Sequence, residues 1–239
     1  MPSANAHMVV VGGTSGIGLA IAQSAHKLGR QVTITGRGSE RAAEIARSIG
    51  SDVAALPVDL EDSATIRTAF ADGPPIDHLV ITPIHRLATS VKSFDAQEAR
   101  RLAEVKLIGY VEVVQAALPR LKLTSSIVLF GGLAKANPYL GSTMTSIVNG
   151  GIVGMTRTMA VELAPIRVNC ISPGLVADSP AWERAVKHGG SAAVDAMIAK
   201  APAKRVATMA DVAHAVFFLL DNPAVNGIDL EIDGGIQLV

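Results

Sequence analysis

Short apolar runs alternate with stretches at helical period along almost the whole chain, and that alternation constrains the fold more than any other feature. Met8–Val11, Gln31–Thr35, Val53–Val58, His78–Ile81, Ser126–Phe130, Arg167–Ile171 and Ile228–Ile232 read as strands. Between them, Gly16–Leu28, Glu40–Ile49, Ser63–Phe70, Ala96–Leu118, Thr145–Leu163 and Met209–Leu220 carry apolar residues at helical spacing. Several of the strand runs are apolar throughout rather than at every second position. A strand of that kind is buried on both faces, as in a parallel sheet covered by helices on each side. The chain is therefore predicted to be α/β: a single Rossmann-type doubly wound domain with a seven-stranded parallel sheet and helices on both faces. The stretch 175–206, with its Gly189-Gly190 pair, breaks the rhythm. It is expected to be a substrate-loop insertion above the C-terminal strand ends, where ligands bind in such sheets. No repeat, low-complexity tract or linker divides residues 1–239.

Composition narrows the partners. Of 239 residues, 49% are apolar before the 22 glycines are counted, and only 18% are charged, against about 25% in an average domain. Such a chain has apolar surface to cover on both sides of a sheet, at an oligomer interface, or both. Intrinsic disorder is excluded by the same numbers. With 21 basic and 21 acidic residues and only one Trp, two Tyr and five Phe, neither charge nor stacking platforms point to nucleic acid. The lone Cys170 cannot form an internal disulfide or a cysteine metal site and reads as a buried thiol. No His/Asp/Glu cluster has metal-ligand spacing, and no Ser-His-Asp set can be assigned. The first residues have no basic segment ahead of an apolar one. The most apolar later stretch, Ala215–Leu220, is stopped by Asp221, far short of a membrane span. A cytoplasmic protein with no membrane partner is expected.

The run Val9-Val10-Val11-Gly12-Gly13-Thr14-Ser15-Gly16-Ile17-Gly18 places glycines at the first strand-to-helix turn. Glycine allows the tight turn and lets the backbone approach a pyrophosphate, while the helix N-terminus offers free N–H groups and partial positive charge. Gly12, Thr14, Ser15, Gly16, Ile17 and Gly18 are thus candidate cofactor residues. At the end of the second strand, an acid would hold the ribose hydroxyls of NAD. Here the residues are Thr35-Gly36-Arg37. Arg37 can fork onto a 2′-phosphate, so NADP(H) is favoured over NAD(H). The alternative is a solvated surface arginine.

The spacing G-x-x-x-G-x-G resembles the short-chain dehydrogenase/reductase family, and further matches span nearly the whole chain. They are Asp59-Leu60 after the third strand, the helix segment 154–165, the run Arg167-Val168-Asn169-Cys170-Ile171-Ser172-Pro173-Gly174, and Ile232-Asp233-Gly234-Gly235. The resemblance implies cofactor contacts at Asp59 and Leu60 near the adenine, and at Pro173, Gly174 and Val176. It also implies a catalytic set: Tyr and Lys four residues apart on the long helix, a Ser after the fifth strand and an Asn on the fourth helix. Counting from Gly154-Met155-Thr156-Arg157 puts the tyrosine position at Thr145 and the lysine position at Asn149. The serine position falls at Gly132 and the asparagine position at Lys106. Val11 stands in place of the usual threonine, Ile81-Thr82-Pro83-Ile84 in place of Asn-Asn-Ala-Gly, and Asp178 in place of a threonine near the carboxamide.

A threonine hydroxyl is a poor acid near neutral pH, and glycine offers no donor. Lys106 and Asn149 have, however, exchanged residue types between two helices that border the nicotinamide ribose in the resembling family. Either an ammonium re-enters the site opposite Asn149, or Lys106 points to solvent or snorkels at an interface. Tyr139, in the loop before the long helix, either reaches the vacated space or packs partly exposed. His85 and Asp178 are further candidates for the substrate pocket, and Trp182 and His188 for a lid or for packing. Small residues Gly150, Gly151 and Gly154 on the long helix would permit close packing in a homodimer or homotetramer. Three functions stay open: an atypical NADP(H)-dependent oxidoreductase on an unknown small-molecule substrate, a non-redox enzyme, or a non-catalytic nucleotide-binding sensor or oligomer partner.

Overall fold

Seven parallel strands form the central sheet in the order β3-β2-β1-β4-β5-β6-β9. A computed structural model describes residues 5–85 and 87–239, apart from the side chains of 188, 189 and 193. The strands are β1 (His7–Val11), β2 (Gln31–Gly36), β3 (Ala54–Pro57), β4 (Ile76–Ile81), β5 (Leu121–Phe130), β6 (Arg167–Pro173) and β9 (Asp229–Ile232). A separate two-stranded ribbon pairs β7 (Val176–Ala177) with β8 (Ala207–Thr208). The helices are α1 (Gly16–Lys27), α2 (Ser39–Ile49), α3 (Ser63–Ala71), α4 (Ala96–Ala103), α5 (Gly109–Ala117), α6 (Thr143–Glu162), α7 (Pro180–Lys200) and α8 (Met209–Asp221).

Strand β1 shows why its sequence reads as one apolar run. Successive side chains point to opposite faces, and all of Met8, Val9, Val10 and Val11 are buried. Met8 and Val10 join the core with Ile21, Ala25, Phe130 and Val216, beneath α1 and α8. Val9 and Val11 join the other core with Phe70, Tyr110, Val113 and Ile152, beneath α3, α5 and α6. Each such side chain contributes about 1.5–3 kcal/mol by leaving water. Covering both faces is the arrangement the parallel register requires.

Polar side chains fix the helix starts. Asp95 accepts from the N–H groups of Gln97 and Glu98 at the start of α4. Thr208 and Asp211 form a reciprocal capping box on α8. Strand order reverses between β1 and β4, whose carboxyl ends meet at Gly12 and Thr82. That crevice is where the topology places a ligand.

Two predicted elements differ. The continuous helix expected over 96–118 is interrupted by a π-helical turn, Glu104–Ile108, between α4 and α5. Strand β5 begins at Leu121 rather than Ser126, because Leu121 pairs with Ile76 and the register then shifts before His78 meets Ser126. The stretch 175–206 contains β7 and α7, and α7 is broken at Gly190 by a φ of +75°.

Candidate functional site

The glycine turn after β1 is built by close approach. Gly12 has a φ of +80°, and a Cβ there would lie 2.7 Å from Thr82 Oγ1. A Cβ on Gly18 would collide with the carbonyl oxygen of Gly12. Gly16 also has positive φ, +54°, directly ahead of the α1 axis. Thr82 locks the turn from β4: its N–H and its hydroxyl both donate to Val11 O, at 3.1 and 2.9 Å. Ser15 is the N-cap of α1, yet its side chain makes no cap hydrogen bond. The first-turn N–H groups of α1 are therefore left without a side-chain cap and with no partner inside the helix. Thr14 and Ile17 are half-buried beside it.

At the end of β2, a Cβ on Gly36 would lie 2.6 Å from Thr14 Cγ2. Thr14 thus excludes any side chain at 36, including the acid that would favour NAD. Arg37 next to it is exposed and makes no hydrogen bond or ion pair among the described residues. Asp59 caps its own turn by accepting from Glu61 N–H (3.1 Å), and Leu60 is buried against Gly109. Pro173 ends β6, Gly174 N–H donates to Ile232 O, and Val176 is buried in β7.

Just after β5, the Gly131–Gly132 peptide is held at both ends. Lys106, buried to 2% exposure, donates from Nζ to the Gly131 carbonyl at 3.0 Å. Gly132 N–H donates to Ser172 Oγ (3.1 Å), which in turn donates to Asp229 Oδ1 (2.7 Å). Lys135 pairs with the other Asp229 oxygen at 3.0 Å and with Glu231 at 2.7 Å. Burial pulls the Lys135 ammonium down, but the Glu231 and Asp229 carboxylates outweigh it and hold its pKa above the ordinary lysine value. The chain of contacts therefore ends on a fixed positive charge.

Asn149, on α6 and 3% exposed, fills the space a side chain at 132 would take: a Cβ on Gly132 would lie 2.6 Å from Asn149 Nδ2. The Asn149 Oδ1 atom is buried and has no hydrogen-bond partner among the described residues. Thr145, one turn earlier, lies on the same face of α6 and is half-buried. Lys106 thus points inward, away from solvent, and meets the same turn as Asn149.

The remaining candidates are held by contacts of their own. The Tyr139 ring is 63% exposed and does not fill the space beside Gly132, which Asn149 takes. His85 pairs through Nε2 with Glu98 of α4 at 2.8 Å instead of presenting a free ring. Asp178, at a φ of +59°, accepts from Met209 N–H at the first turn of α8. Its carboxylate holds that helix start. Trp182 N–H donates to Ser179 Oγ in the first turn of α7, and the His188 side chain lies outside the described residues.

Buried Tyr110 escaped sequence reading, whereas Cys170 is the buried thiol expected. Tyr110 donates to Pro83 O at 2.9 Å, bracing the 82–84 segment, and burial pushes its phenol well above the usual value. It remains protonated and cannot serve as a base. Burial, with Asp229 nearby, pushes the Cys170 thiol up to about 12, so it is not a nucleophile. Among the described residues, no three His, Cys, Asp or Glu side chains could hold a metal ion. No described helix is long and apolar enough to cross a membrane.

A glycine turn opening a helix at the switch point of a doubly wound parallel sheet defines the Rossmann-type class of α/β proteins. Comparison with known proteins sharpens this. The family model described as "Enoyl-(Acyl carrier protein) reductase" matches residues 11–237. The chain is 29% identical over 237 residues to a 3-oxoacyl-[acyl-carrier-protein] reductase of Mus musculus, covering 96% of this chain and 97% of that protein. Its fold is similar to the crystal structure of a short-chain dehydrogenase/reductase from Brucella melitensis, with TM-score 0.88, 28% identity and coverage of 97% and 96%. It is also similar to a small-chain dehydrogenase solved in complex with NADPH, with TM-score 0.82, 27% identity and coverage of 98% and 100%. The chain belongs to the short-chain dehydrogenase/reductase family.

Proposed function

We propose that the chain binds a nicotinamide dinucleotide, NADP(H) in preference to NAD(H), and acts as an atypical oxidoreductase on a small-molecule substrate. The carrying observation is the end of β2, where Thr14 excludes a side chain at Gly36 and Arg37 stands exposed and unopposed. A guanidinium fork matches a 2′-phosphate. The N–H groups at the start of α1 and the Ser15 hydroxyl would hold the pyrophosphate, Asp59 and Leu60 the adenine side, and Pro173, Gly174 and Val176 the nicotinamide side. The NADPH complex of a similar dehydrogenase and the reductase activity named for the mouse relative support the reading. When bound, the nicotinamide supplies hydride exchange with a carbonyl or carbinol carbon. Fluorescence titration tests the preference. NADPH should bind about tenfold or more tightly than NADH, as one charge-assisted phosphate contact suggests. That advantage should disappear in Arg37→Ala; equal affinities, or no change on substitution, would sink the reading.

The same proposal holds that the proton-transfer set is substituted. Gly132 has no side chain, and neither the Thr145 hydroxyl nor the Asn149 amide titrates near neutral pH as a general acid or base must. Lys106 brings an ammonium to the Gly131 carbonyl from the opposite helix. A second reading, a non-redox enzyme or a nucleotide-binding sensor on this scaffold, is favoured by one fact: a neutral amide fills the space beside Gly132.

We further propose a single domain in which 175–206 flanks the substrate, assembled as a homodimer or homotetramer. A Cβ on Gly150 or Gly154 would meet nothing within 4 Å, and Ile147 and Val161 on the same helix are exposed. Gly151 does not share that surface, since it packs on Leu107 within the chain. Light scattering after size exclusion should give twice or four times the chain mass, and Val161→Glu should lower it. A monomeric unaltered chain refutes the assembly.

A further inference from the structure

Ser172 is wholly buried, and its hydroxyl stands between two partners with opposite demands. It donates to Asp229 Oδ1 at 2.7 Å and accepts from the Gly132 N–H at 3.1 Å. A hydroxyl has one proton to donate, and a carboxylate can only accept. Asp229 therefore engages that proton and leaves the Ser172 lone pairs to the Gly132 N–H. The peptide so held turns its other end, the Gly131 carbonyl, to Lys106 at 3.0 Å. Glycine at 131 is what lets the hydroxyl reach: a Cβ there would lie 2.6 Å from Ser172 Oγ and 2.9 Å from Cys170 Sγ. Pro173 and Gly174 follow Ser172 directly, and a Cβ on Gly174 would lie 3.1 Å from Leu133 Cδ1, the residue after Gly132. Asp229 on β9 thus reaches the ends of both β5 and β6 through one hydroxyl. Lys135 sets the polarity. Its ammonium lies 3.0 Å from Asp229 Oδ2, with the two side chains only 12% and 10% exposed. An amide at 229 would turn its oxygen to that ammonium, which only donates, and present its NH2 to Ser172. Two donors would then compete for the Ser172 oxygen.

We propose that Asp229 is a positioning residue: through the Ser172 hydroxyl it sets the Gly131–Gly132 peptide beside the Pro173–Gly174 turn, and so shapes the nicotinamide end of the proposed dinucleotide site. The ligand half of this rests on the dinucleotide reading above; the relay from Asp229 to Gly132 does not.

Amide hydrogen exchange in the ligand-free protein reads the relay. The Gly132 N–H should exchange about five- to tenfold faster in Ser172→Ala and in Asp229→Asn, as loss of one hydrogen bond predicts, while the amides of β1 keep their rates. Combining Asp229→Asn with Lys135→Met should return the Gly132 N–H towards its unaltered rate, because without the ammonium the amide at 229 can turn its oxygen to Ser172. A residue that only stabilises the fold would do the opposite: exchange would quicken throughout, and removing Lys135 would add to the loss. Fluorescence and calorimetric titrations read the ligand half. NADPH should bind about three- to tenfold more weakly to either single variant and recover in the combined one. The probe 2′-phosphoadenosine-5′-diphosphoribose, which lacks the nicotinamide, should bind all of them alike. Unchanged Gly132 exchange in the single variants, no recovery in the combined one, unchanged NADPH affinity, or equal weakening of both ligands overturns the proposal. If the unaltered chain binds neither ligand, the dinucleotide reading falls and takes the ligand half with it, while exchange in the ligand-free protein still decides the relay.

Discussion

Combining Lys106→Asn, Gly132→Ser, Thr145→Tyr and Asn149→Lys is expected to raise NADPH-dependent reduction of cyclohexanone about 10²–10⁴-fold over the unaltered chain, the usual worth of general acid–base help. The reasoning is local. A tyrosine at 145 with a lysine one turn later would supply a titratable phenol and the cation that lowers its pKa. A serine at 132 would supply a donor for the carbonyl. None of these works alone. A Cβ at 132 would lie 2.6 Å from Asn149 Nδ2, so Gly132→Ser by itself pushes the amide aside without adding an acid. Residues sharing one contact are expected to be non-additive, and the single substitutions should each give less than about a threefold gain, within the spread of uncoupled effects. Steady-state NADPH oxidation reads the result. Two outcomes would defeat the argument: turnover by the unaltered chain near the about 10 s⁻¹ of a median enzyme, or no gain in a combined variant that folds and binds NADPH.

The sheet was legible because its strands are apolar on both faces. Met8–Val11 could be read as a buried parallel strand before any contact was known. The glycine turn was equally legible, since a strand, three spaced glycines and a helix leave few arrangements. What stayed hidden depends on side chains meeting across the fold. The 96–118 periodicity gave no sign of the π-helical turn at Glu104–Ile108, which carries Lys106 to the Gly131 carbonyl. An extra residue in one turn changes the facing of a side chain without disturbing the apolar count. Gly132 read as a missing donor, whereas in three dimensions it is the clearance that Asn149 occupies. Asp178 is a pocket candidate by the family resemblance and His85 by its place after the fourth strand. Their partners, Met209 N–H and Glu98, lie 31 and 13 residues away, and nothing in the local sequence encodes them.

Stability is expected to fall by about 2–3 kcal/mol between pH 7 and pH 4.5, chiefly because one histidine is folded into a place that keeps it neutral. His78 lies at the start of β4 with its side chain 12% exposed and its Nδ1 unpartnered among the described residues. Burial lowers its pKa to about 4, helped by Arg30 and Arg167 and opposed by Asp221 and Asp77. Asp221 is already engaged by Arg30, which grips both its oxygens at 2.8 and 2.7 Å, while His78 Nε2 stands 3.8 Å off. The unfolded chain takes this proton near the ordinary histidine value of about 6.5; the folded chain resists it until about 4. Between those values the unfolded state binds more protons, so stability is full above the upper one and drains away as pH falls towards the lower. His7 adds to the same slope, since burial lowers its pKa too. The depressed carboxylates of Asp77 and Asp211 act only at more acid pH, below the ordinary carboxylate range. Urea melts across this pH range should show the loss, and His78→Gln should remove more than half of it while leaving the His7 part. A flat profile in the unaltered chain, or an identical slope in the variant, would show that the Arg30–Asp221–His78 cluster is not what limits acid stability.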